Sequence, residues 1–453
     1  MIEAMNGKIG RGRRAAPALM TLVAFLAAAC ARAPSGRSPA GRAAAPDVAG
    51  AIVLALATEL AGPAYSGRAL GSPGGALAAE LLAGRLRDAG FAVAFKDFPE
   101  RVPVNSGDAL LETVAPDGTT LRFEWREDFR EIARGGYEGG PAEGSLFLVS
   151  DPAAPFPPGS ILLVRGRLYD VEDDASYAAR GAAGLVCELV GTDPARRPLW
   201  AGQAPGELVE PKSGYVKLGV SAEAFDRLAS SPPGTRLRIE SPLRFVDATG
   251  RDVVAARDGD GGGAEPRLVV CAHYDHVGAD RDGSYFPGAL DNAAGAAMAV
   301  ALGEALARAL PGADLAVVLT DGEEVNLSGS TAFARAPDFP LAGIAVLNLD
   351  MLGSKADLPF SVYSLGDPAG SKLARSLVAA LEAAGFRAAH EAPVRNLDHT
   401  PFSLAGAGAA SITEYDTADY HTKRDLPSGL SADELDRLGD ALAAWALAEI
   451  SGR

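Results

Sequence analysis

The sequence predicts an α/β fold: a mixed, mostly parallel central sheet covered by helices on both faces, joined to a smaller β-rich α/β insert. Three observations point there. From residue 251 onward strand-like and helix-like segments alternate, the pattern of a sheet with helices packed on it. The strand segments are nearly unbroken apolar runs, as expected where both faces are buried. Hydrophobic residues make up 48% of the 453 positions, enough for a sizeable core.

The chain begins with an address rather than a fold. Residues 1–45 carry seven Lys and Arg and one acid, and the early basic cluster is followed by an apolar run at 15–29 and then Cys30. A basic start, a short apolar stretch and a small-residue exit describe a secretory signal. The run is too short for a span of ~20 residues. Its end, Leu-Ala-Ala-Ala-Cys, resembles a bacterial lipoprotein signal. That resemblance implies cleavage before Cys30, a lipid on Cys30, and anchoring at a membrane facing the periplasm or exterior. The alternative is an ordinary cleaved signal with a chance cysteine. Residues 30–46 read as a flexible tether rich in Pro, Ala, Gly and Ser.

A helix is expected over 74–89, stopped by Gly90. Short β patterns occupy 107–125 around the turn Pro116-Asp117-Gly118. Near 135 Gly and Pro become frequent. Short strands follow at 145–150, 161–165 and 184–190, with helices near 175–182 and 221–230. Strands then fall at 267–273, 314–320, 344–350 and 410–413, with helices at 291–310 and 371–384. A final helix opens on Ser431 and Glu434, a capping-box pair. The expected organisation is a catalytic body, 47–134 and 246–453, interrupted by an insert at 135–245.

Net charge is −16, which excludes general nucleic-acid binding, a task that needs basic surface. Three cysteines cannot build a disulfide framework. Cys187 and Cys271, in apolar strands, are expected to be buried thiols.

The chemistry gathers at strand ends. His273 closes the apolar run 268–272, at the edge where open α/β sheets bind ligands. Asp275 lies two residues on, able to hold an imidazole in one tautomer. Asp291 opens the next helix, where an N-cap role alone would explain it. Strand 315–319 delivers Glu323 and Glu324, and adjacent carboxylates point in different directions, so one can bind metal while the other handles protons. Asp350 ends a third apolar strand, where a charge needs a partner or a metal. His421 lies in a polar loop after the last strand. The donors are nitrogen and oxygen without thiolate, which suits zinc and equally allows cobalt or manganese. Three carboxylates and two imidazoles exceed the usual needs of one catalytic zinc and suit two ions sharing a carboxylate. His276 is expected beside the ligands rather than among them, His399 near the substrate pocket, and His390 at the surface.

The segments CAHYDHVG, GALDNAAGAA, TDGEEVNLSGS, LNLDMLG and DYHT, in this order, resemble the two-zinc aminopeptidases of the leucyl and Streptomyces/Aeromonas type. The glutamate carboxypeptidase and glutaminyl cyclase relatives share the fold. The likeness covers about 251–425, and SGRALGSPG at 66–74 resembles that family's early loop. It implies one zinc on His273 and Asp350, a second on Glu324 and His421, and Asp291 bridging them. It further implies Glu323 as general base, Asp275 orienting His273, and Tyr420 donating to the oxyanion. Two positions depart from the family pattern: Asp252 replaces the usual Asn, and Leu397-Asp398 replaces Ser-Asp. The insert resembles a protease-associated (PA) domain through 158–166, 178–186 and 216–221. The expected function is hydrolysis of N-terminal peptide bonds. Carboxypeptidase or glutaminyl cyclase chemistry, for which Arg395 offers the nearest cation, and a non-catalytic binding protein on the same scaffold are the alternatives. Oligomeric state is not legible.

Overall fold

Four apolar strands form the middle of an eight-stranded sheet: Leu315–Thr320, Leu268–His273, Ala345–Leu349 and Gly408–Thr413, neighbours in that order and mutually parallel. Every residue in them is buried. On one side Leu243–Arg257 and then Ala92–Asn105 extend the sheet by antiparallel pairs; on the other Phe360–Tyr363 pairs antiparallel with Gly408–Thr413, and Ala388–His390 pairs parallel with Phe360–Tyr363. The structure is a computed structural model that describes residues 47–170, 173–197, 208–257 and 266–452. The expected signal, Cys30 and the tether lie outside the described residues. No helix among the described residues is long and apolar enough to cross a membrane.

Side chains alternate across a strand, and the two faces pack separately. Leu268, Val270 and Ala272 join a core with helices Gly50–Leu60, Pro73–Asp88, Gly295–Ala309, Pro368–Ala383 and Ala432–Ser451. Val269 and Cys271 join a second core with helices Ser328–Arg335 and His399–Leu404. Small residues let the central helix sit close to the sheet. A Cβ on Gly303 would come within 2.6 Å of Val317. Both described cysteines, Cys187 and Cys271, are buried free thiols.

A second eight-stranded sheet is built from Thr120–Arg122, Leu110–Val114, Arg236–Ser241, Gly140–Val149, Ile161–Val164, Gly184–Glu188, Val216–Val220 and Phe129–Glu131, in that order. Its first three strands in the chain lie upstream of residue 135. Helix Ala222–Ala229 packs on this sheet, capped by Ser221 Oγ, which accepts from Ala224 N at 3.1 Å.

The last helix keeps half of its expected capping box. Ser431 Oγ accepts from Glu434 N at 3.3 Å. The Ser431 amide instead donates to Gly353 O at 2.8 Å, and the Glu434 carboxyl lies beside Glu414.

Candidate metal centre and active site

Parallel pairing sets His273 level with Thr320, so the strand ends deliver His273, the 321–324 turn and Asp350 to one edge. His273 Nε2 lies 3.5 Å from both Asp291 and Asp350. His421 Nε2 lies 2.8 Å from Glu324 and 3.2 Å from Asp291. His276 Nδ1 lies 2.9 Å from Glu324 and 3.8 Å from Asp291. These side chains make two buried donor groups that share Asp291: His273, Asp291 and Asp350, and His276, Asp291, Glu324 and His421. All five residues picked out as ligands in the sequence thus converge. His276 stands nearer than expected, in hydrogen-bond contact with Glu324.

Asp291 is not a helix cap. Its backbone is non-helical, at φ −109° and ψ 93°, within a wide turn Ala289–Ala294 that precedes the helix. Asn292 takes the capping work: its Oδ1 accepts from Gly295 N and Met351 N, both at 3.1 Å. Its amide nitrogen donates to His273 O and Leu349 O at 3.2 and 3.0 Å. A Cβ on Gly295 would meet that Oδ1 at 2.1 Å, so only glycine admits the contact. Asp425 accepts from Leu290 N and Asp291 N at 2.8 and 3.0 Å. With its amide so held, the Asp291 carboxylate is left for the donor groups. Asp425 carries no motif, and sequence reading missed it.

Asp275 accepts from Glu323 N at 3.1 Å and from Glu324 N at 3.4 Å, and lies 3.5 Å from His273 Nδ1. One carboxylate therefore sets both the histidine and the glutamate turn. Two carboxylates sit behind this turn: Asp252, one departure from the family pattern, and Asp398, next to the other departure, Leu397. Asp252 Oδ1 accepts from Asp321 N at 3.0 Å, and Asp398 Oδ2 accepts from Thr320 Oγ1 at 2.6 Å. Both are fully buried; Asp252 holds a backbone amide, Asp398 a side-chain hydroxyl, and neither lines the cleft. Arg68, in the early loop, is fully buried and donates to Leu60, Tyr274, Pro287 and Gly288 carbonyls at 2.8 Å. It ties that loop to the strand end and to the turn before Asp291.

His399 does not line the pocket. It is fully buried, with Nδ1 2.8 Å from Ser411 Oγ, and burial lowers its pKa to about 4. His390 is half-buried, with Nε2 3.0 Å from Ser364 Oγ. The Tyr420 ring stacks on His421, centroids 3.7 Å apart.

The donor groups carry an excess of buried negative charge. Against the cost of burial, the surrounding carboxylates Glu323, Asp275 and Asp350 hold the His273 pKa well above its ordinary value. Glu324 and Asp291 likewise raise His421 to about 10, although burial opposes them. Burial first, then Asp350 and Glu324, pushes the Glu323 carboxyl well above the usual carboxylate range, with His273 opposing. Imidazoles that keep protons between carboxylates are filling the place of a cation. His276 Nε2, Asp291 Oδ2 and His421 Nε2 also lack geometrically sound hydrogen-bond partners. Nitrogen and oxygen donors, a charge deficit and orphaned buried atoms all fit zinc.

Above the donor groups opens a cleft of about 880 Å³, lined by Glu323, Glu324, Tyr420 and His421 and, from the second sheet's segment, by Arg130, Tyr169 and Thr192 among others. That segment reaches the site directly: Arg197 N donates to His421 O at 3.0 Å.

Residues 252–446 match the profile of peptidase family M28. An aminopeptidase of Pseudomonas aeruginosa is 27% identical over 306 residues, 63% of this chain. The match spans 54% of that curated relative, about half its length. Among solved structures, an aminopeptidase from Aneurinibacillus sp. strain AM-1 superposes with a TM-score of 0.67 at 18% identity, covering 89% of this chain and 94% of its own. The zinc aminopeptidase BSAP of Bacillus subtilis gives 0.65 at 18% identity, covering 88% and 95%. The fold of this chain is the fold of those enzymes. Profile and fold agree that residues 252–446 resemble peptidase family M28, on the fold of these solved aminopeptidases.

Proposed function

We propose that this protein is a zinc-dependent aminopeptidase that removes N-terminal residues from peptides. The observation that carries the reading is the pair of buried donor groups sharing Asp291 on the floor of a cleft that also exposes Glu323. In this reading His273 and Asp350 hold one ion, Glu324 and His421 the other, and Asp291 both. His276 holds the Glu324 carboxylate in place. Bound there, two zinc ions supply Lewis acidity to the scissile carbonyl and acidify water. Glu323 accepts the proton of the attacking water and returns it to the leaving amine. Its raised pKa suits a group that must give the proton back. Tyr420, fixed against His421, supplies a hydroxyl donor toward the developing oxyanion.

The second sheet and its helices serve as a PA-type insert that walls the cleft. The N-terminal pattern supports export, with Cys30 as a lipid-anchored first residue. Cobalt and manganese substitute for zinc in this donor set.

Digestion of one defined peptide, with and without chelator, tests the activity. Chelator-sensitive release of the first residue is expected. Release of the last residue establishes a carboxypeptidase, cyclisation of N-terminal glutamine a cyclase, and no turnover with no bound zinc a binding protein.

A further inference from the structure

The cleft wall contributed by the second sheet carries a guanidinium that forms no ion pair among the described residues. Arg130 lies on the edge strand Phe129–Glu131, is 8% exposed, and lines the cleft together with Glu323 and His421. Its Nη1 reaches Arg196 O at 3.4 Å and its Nη2 reaches Thr192 Oγ1 at 3.3 Å, both long, and its Nε has no partner. Among the described residues no carboxylate forms an ion pair with it. The adjacent Glu131 is taken by Arg126 at 2.8 Å and Asn105 at 3.0 Å. Glu188, also on the wall, is taken by Arg165 at 3.3 Å and Gly166 N at 3.1 Å. Arg196 and the exposed Arg395 line the same cleft, and Arg196 Nε is likewise without a partner.

This is unusual placement in a chain of net charge −16. A buried guanidinium lacking a counter-charge is costly. Burial lowers the Arg130 pKa only to about 10, so it stays charged at neutral pH. Its position is tied to the donor groups through one peptide unit. The carbonyl of Arg196 accepts from Arg130, and the amide of the same unit, Arg197 N, donates to His421 O. The cleft thus has carboxylates on its floor and arginines on its wall.

We propose that Arg130, with Arg196 beside it, is a subsite for a carboxylate of the substrate. Resting on the peptidase reading, it makes the preferred substrates peptides with a carboxylate close behind the cleaved bond. That carboxylate is either the free C-terminus of a short peptide or the side chain of an acidic residue. Guanidinium is the group best matched to a carboxylate by two parallel hydrogen bonds.

Calorimetric titration of the zinc-loaded protein tests this with three uncleavable tripeptide analogues whose first amide is reduced to a methylene-amine. One is trialanine with a free C-terminus, one its C-terminal amide, and one the amide with glutamate in second place. We expect one or both carboxylate-bearing probes to bind at least about tenfold more tightly than the neutral amide. Which one does so names the source of the carboxylate. In Arg130→Gln that ratio drops to about twofold or less, and Arg130→Lys recovers part of it. Should Arg130→Gln not fold, Arg196→Gln and the fall of the wild-type ratio with added salt decide. Equal affinity for all three probes, no binding of any, or a ratio that survives in folded Arg130→Gln overturns the subsite. Carboxylate-selective binding without turnover of the unmodified peptides overturns the peptidase reading and leaves the subsite standing. Turnover without carboxylate selectivity does the reverse.

Discussion

Glu323 and Glu324 are adjacent, yet their surroundings give them different work. Glu324 meets His421 at 2.8 Å and His276 at 2.9 Å, and those imidazoles hold it ionised, far below the usual carboxylate range, against burial. Glu323 faces the cleft and is pushed the other way, first by burial and then by neighbouring carboxylates. In the proposed reading, a group kept ionised suits a ligand and a group whose pKa is raised suits proton transfer. Glu323→Gln should therefore retain zinc, measured by metal analysis of the purified protein, and lose ~10²–10⁴-fold in kcat. Unchanged turnover would remove Glu323 from the proton-transfer role. Asp425 acts one step further out. Asp425→Ala leaves the Leu290 and Asp291 amides without an acceptor, at a cost of about 1–3 kcal/mol in unfolding free energy. It should also weaken zinc binding ~10–100-fold, by loosening the turn that carries Asp291. Wild-type zinc affinity in a chelator competition would show that the turn holds itself.

At the scale of elements, the end of strand Gly408–Thr413 and the start of helix Ala432–Ser451 meet through two carboxyls. Glu414 is buried, accepts from Gly353 N and from Ser354 N, and faces Glu434. Burial, reinforced by Glu434, raises the Glu414 pKa to about 8. Because the folded protein prefers the protonated form, this carboxyl's contribution is fully present below its unfolded value of 4.5 and is lost as pH rises toward about 8. Unfolding free energy should fall across that window. Glu414→Gln keeps an acceptor for the two amides without the charge, so the fall should flatten and the variant should be the more stable form at pH 8. Urea unfolding at pH 5 and pH 8 reads both effects, and parallel pH profiles for the two proteins would refute the assignment. A neighbouring contact explains the incomplete capping box. Ser431 and Glu434 have the right spacing for it, but Gly353 O takes the Ser431 amide that the glutamate would otherwise accept from.

Across the whole molecule, the two sheets are joined by buried charge close to the site. Arg126 reaches Glu131 at 2.8 Å and Asp280 at 2.9 Å, linking an edge strand of the second sheet to the loop after His273. Both carboxylates are held below their ordinary pKa by Arg126 against the effect of burial. Arg126→Ala leaves the buried Glu131 without its ion pair and Asp280 with Lys423 at 3.0 Å alone, and loss of one partner of such a network costs about 3–5 kcal/mol. Thermal unfolding followed by circular dichroism should show the drop. A change below about 0.5 kcal/mol would mean that the carboxylates are hydrated instead. This link, and the Arg197–His421 hydrogen bond, place the second sheet's segment in the wall of the cleft. Its position there underlies both the proposed insert role and the carboxylate subsite.

How much of this was legible beforehand follows from the range of the forces involved. The parallel strands, the helices Pro73–Asp88, Gly295–Ala309, Pro368–Ala383 and Ala432–Ser451, and the five converging donors could be read in order along the chain, whereas Gly50–Leu60, Ser328–Arg335 and His399–Leu404 could not. Apolar runs mark buried strands, and a charge at the end of such a run needs a reason that lies nearby. Asp291 was ambiguous, because a helix-opening Asp is a local cap until a neighbour displaces it, and Asn292 does so only through contacts with His273 and Leu349. Asp425, Asp252, Asp398 and Arg68 carry no local signal, because their partners lie tens to hundreds of residues away. His399 looked like a pocket residue by proximity in sequence to the site's other segments, whereas packing turned it inward onto Ser411. The identity of the donors was determined by residue chemistry along the chain. Which atoms hold them, and which arginines face the cleft, was decided only when two sheets closed on one another and left some charges paired and others not.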